Sequence, residues 1–126
     1  MSHCISVYLV NKSEVRNDKI ESIVDNKSTK IKWTELGENI LATTYIPNIK
    51  EYGKDRTIAK ITTDYFGGSG EQTAKLFVNN ERVYNNEDKY NPINNVLRRM
   101  GVIRKDKMDE FDTIGLGKYR SNQDFR

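Results

Sequence analysis

The sequence predicts an α+β fold: one mainly antiparallel sheet of about five or six strands, with an N-terminal helix and two C-terminal helices packed on one face. Three observations carry that expectation. Apolar and polar residues alternate through Arg56–Phe66 and again through Glu71–Val78, and the alternation breaks at Gly67-Gly68-Ser69-Gly70, as in a β-hairpin. Ile93, Val96, Leu97 and Met100 recur at helical spacing between Pro92 and Gly101. His3–Val10 is fairly apolar on both of its alternating sides, which suits an inner strand.

Taken in order, Ile5, Val7 and Leu9 share one side of that first strand. Ser13 can cap a helix from about Glu14 to Val24, whose Val15, Ile20, Ile23 and Val24 give an imperfect stripe. Lys30–Leu36 and Asn39–Ile46 read as two short strands joined at Gly37-Glu38, and Pro47 closes the second. "NIKEYGKDR" reads as a polar connector. In the central hairpin, Ala59, Ile61, Thr63 and Tyr65 share one face with Gln72, Ala74, Leu76 and Val78, while Lys60 and Lys75 mark the other. Asn79-Asn80 suits a tight turn into a last strand near Arg82–Asn85. Pro92 fits a first helical position and Gly101 a helix stop. A second helical piece is expected from Asp106 to about Thr113, with Met108 and Phe111 inward, followed by a loosely ordered tail over residues 113–126.

A chain of 126 residues fits one domain, and it contains no internal repeat or linker. Its 36% apolar content requires an economical core. Lys/Arg and Asp/Glu balance at 13 each over residues 1–90, so the whole net charge of +3 falls in residues 91–126. A dedicated nucleic-acid binder carries a stronger basic footprint. The lone Cys4 excludes an intrachain disulfide and a multi-cysteine zinc site. The N-terminus lacks a basic n-region and a full apolar h-region, and no apolar run approaches membrane-spanning length, so a cytoplasmic protein is expected.

The residues around the glycines raise the functional question. Gly67, Gly68, Ser69 and Gly70 suffice for a turn, and their backbone N–H groups could also form an anion-binding nest. Phosphate loops run from strand to helix, however, and this loop runs from strand to strand. Asp64 and Glu71 are expected to face each other across the ladder, where paired carboxylates can do acid–base work, hold a divalent cation or meet a cationic partner. Gly115-Leu116-Gly117-Lys118 fails the phosphate-loop pattern at Asp112 and Tyr119. His3 and Cys4 are adjacent on a strand, so they point to opposite faces and cannot pair as nucleophile and base. Arg98, Arg99, Arg104, Lys105, Lys107, Lys118, Arg120 and Arg126 form a basic C-terminal third that Asp106, Asp109, Glu110 and Asp112 interrupt.

No catalytic set, metal-ligand spacing or cofactor fingerprint stands in the sequence. The expected function is therefore non-catalytic binding of another protein, as by a small inhibitor, adaptor or toxin-neutralising immunity protein. The residues expected to meet the partner are Asp64, Tyr65, Phe66, Glu71, Gln72, Tyr119 and Arg120. Two alternatives stand beside it. One is a small metal-dependent hydrolase or nucleotide-handling enzyme using Asp64 and Glu71; the other is nucleic-acid binding by the basic third, with Tyr119 and Phe125 stacking on bases.

Overall fold

A computed structural model describes residues 3–14, 33–46, 49–66, 69–85 and 91–125. Six strands form one antiparallel sheet: β1 (His3–Asn11), β2 (Thr34–Leu36), β3 (Ile40–Thr43), β4 (Thr57–Phe66), β5 (Ser69–Val78) and β6 (Glu81–Asn85), in the spatial order β2-β3-β1-β4-β5-β6. The first strand is an inner one, as its two-sided apolar pattern requires. Among the described residues three α-helical segments accompany the sheet: α1 (Ile49–Tyr52), α2 (Pro92–Arg99) and α3 (Glu110–Thr113). None of the helices among the described residues is long and apolar enough to cross a membrane.

The alternation in the strands divides the sheet into two faces. Ile5, Val7, Leu9, Ala59, Ile61, Ala74 and Leu76 face one way and pack with Ile93, Val96 and Leu97 of α2, forming the main core. Each of the Val, Leu and Ile side chains, once buried, contributes roughly 1.5–3 kcal/mol, and the alanines less. The opposite face is apolar at one end, where Val10, Leu41, Ile46, Tyr52 and Ile58 form a second cluster. Tyr52 belongs to α1, a single turn formed by residues that the sequence presented as a polar connector. Among the described residues its hydroxyl has no hydrogen-bond partner, and burial pushes its pKa up. The expected N-terminal helix lies outside the described residues beyond Glu14, which itself ends a 3-10 turn, Lys12–Glu14.

The turns follow their residues. Asn79 and Asn80 both take positive φ (51° and 65°), the conformation that lets a two-residue turn match strand twist. Helix α2 stops as Pro92 and Gly101 predict. Gly101 has φ +94°; its N–H reaches the Arg98 carbonyl oxygen at 3.1 Å and Val102 N–H reaches that of Leu97 at 3.0 Å, a Schellman termination. The second helical piece is shorter than expected, four residues from Glu110, because Asp109 caps it by accepting from Asp112 N–H at 2.8 Å.

Residues beyond Thr113 add to both the core and the sheet. Leu116 and Phe125 are buried. β3 covers β1 from Tyr8 to Asn11, so among the described residues the N-terminal half of β1 lacks a strand neighbour on that side. Cys4 N–H donates instead to the Arg120 carbonyl at 2.8 Å, and Ser6 N–H donates to Asn122 Oδ1 at 2.8 Å. A parallel bridge joins Cys4 to Ser121.

Candidate functional site

The β4–β5 ladder sets the position of every residue singled out near the glycines. Asp64 pairs with Glu71, Tyr65 with Gly70, and Phe66 with Ser69. Gly67 and Gly68 lie outside the described residues. Gly70 has φ +156°, and a Cβ there would run into the Asp64 carbonyl oxygen and come within 2.6 Å of Tyr65 Cα. Glycine is thus a steric requirement for closing this ladder.

Strand alternation then separates the expected partner-binding set. Asp64 and Glu71 lie on the face away from α2, and both are exposed. The Cys4 thiol stands 3.6 Å from Asp64 Oδ1, so Cys4 shares their face. Neither carboxylate has a cation as partner among the described residues. Along the same face come a threonine pair, Thr62 with Thr73, whose hydroxyls hydrogen-bond, and then a lysine pair, Lys60 with Lys75. The Lys60 ammonium sits over the Tyr8 ring, 4.1 Å from its centroid, and burial lowers its pKa. Four residues of strand put the acidic and basic pairs about 13 Å apart, too far for ion pairing and beyond a physiological Debye length of ~8 Å.

Tyr65 and Gln72 point the other way, toward α2. Gln72 Nε2 donates to the Tyr65 hydroxyl at 3.1 Å, and its Oε1 accepts from Ile93 N–H at 3.0 Å, satisfying one open donor at the start of α2. These two side chains line a cleft of about 290 Å³ together with His3, Thr63, Asn91, Asn94, Asp109 and Phe111. His3 Nδ1 lies 2.6 Å from Thr63 Oγ1, and its Nε2 lies 3.2 Å from the Leu116 carbonyl. Asn94 links the two helices: its Nδ2 donates to Asp109 Oδ2 at 3.1 Å and its Oδ1 accepts from Phe111 N–H at 2.8 Å. Sequence reasoning missed this cleft, since its lining comes from five separate segments. The Gln72 amide, an unusual residue on a core-facing strand side, was the one local sign.

Tyr119 stacks on Phe125, with ring centroids 4.6 Å apart, and packs against the main core. Arg120 is exposed, and its backbone N–H donates to Asp124 Oδ2 at 2.8 Å. The chain just after it borders the acidic end of the sheet, where Ser121 and Asn122 line one shallow surface with Cys4, Thr62 and Asp64. In the basic third, Arg98 pairs with the buried Glu110 at 3.1 Å, and Arg99 lies 4.9 Å from the Tyr84 ring centroid. Both of these charges therefore have intramolecular contacts. Among the described residues, no three His, Cys, Asp or Glu side chains converge as a metal-holding group. No known protein family, curated protein or solved structure matches the chain.

Proposed function

We propose that the protein is a non-catalytic binding module that captures another protein through the acidic end of the β4–β5 face. A small inhibitor such as a toxin-neutralising immunity protein is one role of this class. The observation that carries the reading is the direct opposition of Asp64 and Glu71, exposed and without a cation among the described residues. Like charges directly across a ladder repel. A basic surface on a partner relieves that repulsion, and two fixed carboxylates set its register and speed its approach. Affinity then depends on a few anchors beside the carboxylates, with Arg120 at the border of the surface as one of them.

The test is capture from host lysate by the wild type, by Asp64→Ala/Glu71→Ala and by Asp64→Lys/Glu71→Lys. The wild type should retain one stoichiometric protein, released by salt, and the lysine variant should lose it. The melting temperature should be equal or slightly higher in the alanine variant, where the repulsive pair is gone, and close to that of the wild type in the lysine variant, where one like-charged pair replaces another. Undiminished capture by the lysine variant, or no protein retained by the wild type, overturns the reading. A Mg²⁺-dependent rise in melting temperature that the alanine variant abolishes would favour a metal-dependent enzyme instead.

A further inference from the structure

The cleft on the other side of the hairpin carries an inference independent of the acidic face. We propose that it binds an uncharged heterocycle bearing adjacent carbonyl and N–H groups, the lactam edge of a uracil- or hypoxanthine-type nucleobase, as a free base or nucleoside.

The class follows from what lines the cleft and what its groups still lack. Among the described residues no lysine or arginine lines it, so none of them offers an anion a counter-charge there. Asp109, the one carboxylate among the described residues that line it, is held at both oxygens, Oδ1 by Asp112 N–H and Oδ2 by Asn94 Nδ2, and keeps further acceptor capacity. Among the described residues, nothing accepts the hydroxyl hydrogen of Tyr65, and Gln72 Nε2 has a second hydrogen beyond the one it gives Tyr65. The cleft thus offers two donors from β4 and β5 and one acceptor from the helix side. A ligand that carries an acceptor beside a donor satisfies both walls, whereas one with acceptors alone leaves Asp109 unanswered. Phe111 supplies an aromatic surface, with the His3 ring 5.6 Å away and tilted 54° to it. A flat ring suits such walls.

Size and rigidity agree with this class. About 290 Å³ lies at the lower end of ligand pockets, which is room for one substituted ring system. Each polar group is already held before any ligand arrives. Gln72 is fixed between Tyr65 and the Ile93 N–H, and Asn94 between Asp109 and the Phe111 N–H. Little ordering remains to be done on binding.

The experiment is titration of ¹⁵N-labelled full-length protein with uridine, inosine, 3-methyluridine and uridine monophosphate, followed by amide shifts. Uridine or inosine should give saturable shifts at Tyr65, Gln72, Asn94 and Phe111. 3-Methyluridine, which lacks the N–H, should bind about tenfold more weakly, as expected when a polar group in the site is left unpaired. Tyr65→Phe removes one donor and leaves the ring in place; it should weaken uridine binding by a similar factor, with the melting temperature lowered by no more than about 5 °C for the lost Gln72 contact. Asp109→Asn keeps an oxygen for the cap and provides a second variant, scored by the ratio of uridine to 3-methyluridine affinity, which should fall toward one. The inference is overturned if neither uridine nor inosine shifts the cleft amides, if 3-methyluridine binds as tightly as uridine, if Tyr65→Phe binds normally, or if the monophosphate binds more tightly through residues elsewhere.

Discussion

The two faces of the β4–β5 hairpin have opposite characters although their residues alternate along the same strands. Toward α2, side chains are enclosed and committed: Ile61 and Ala74 are fully buried, and Gln72 joins a tyrosine to a helix start. Away from α2, the same strands carry like-charged pairs at both ends of a threonine pair. Asp64 and Tyr65 are neighbours in the chain, yet one faces the open sheet and the other a cleft. A contiguous polar motif in a strand is thus two half-motifs, each to be read with its cross-strand partners. The difference also separates two stability outcomes: substitutions on the enclosed face threaten the fold, and those on the open face leave it largely intact.

Stability measurements can break or sharpen this contrast. The largest effect belongs to Ile61→Ala, which should cost about 3 kcal/mol by removing fully buried methyl groups, whereas Thr62→Ala next to it should cost under about 1 kcal/mol. Chemical denaturation of both variants checks this, and equal costs would mean that the open face is covered after all. Gln72→Ala comes next, at roughly 1–2 kcal/mol, because it strips Ile93 N–H of its acceptor and Tyr65 of its donor. Its signature beyond the cost is faster hydrogen exchange at the Ile93 amide.

The smallest effect concerns Lys60. Burial lowers its folded pKa below the ordinary 10.5, so between the two values the unfolded chain holds more protons than the folded one. Stability should therefore rise with pH in that window, as the cost of keeping the ammonium half-buried is removed. Tyr52 acts oppositely: its raised pKa makes stability fall as pH climbs above 10.0. Lys60→Gln should remove the rising component and leave the fall, which a melting series from pH 8 to pH 11 (on the order of the unperturbed lysine and tyrosine range) would resolve.

Much of this architecture was legible because it rests on local chemistry. Asn79-Asn80, the Pro92-to-Gly101 frame and the face-to-face register of Asp64 and Glu71 all follow from turn residues and period. What escaped depends on meetings between distant segments. The cap that Gln72 gives Ile93, the His3–Thr63–Leu116 cluster and the seating of Arg120 against Cys4 join residues that no spacing rule connects. Helix α1 escaped for another reason: one helical turn is too short to show a period, and its order derives from Tyr52 entering the second cluster. The strand bounds shifted for a related cause. β2 and β3 are described only over Thr34–Leu36 and Ile40–Thr43, where the pairing is made, although the apolar pattern runs further.

The place of β1 has a consequence for how the molecule is put together. On one flank lies the β2–β3 hairpin and on the other the β4–β5–β6 meander, each closed by short connections and able to start on its own. In the sheet the two are joined through β1, whose partners lie some 60 residues away in β4 and 116 residues away at Asn122. Closing such loops is entropically slow, and it precedes the reward of the contacts it makes. Insertion of β1 is thus the cooperative step, the point at which two separately formed pieces become one sheet, and its failure would leave both pieces with bare edges open to pairing with other chains.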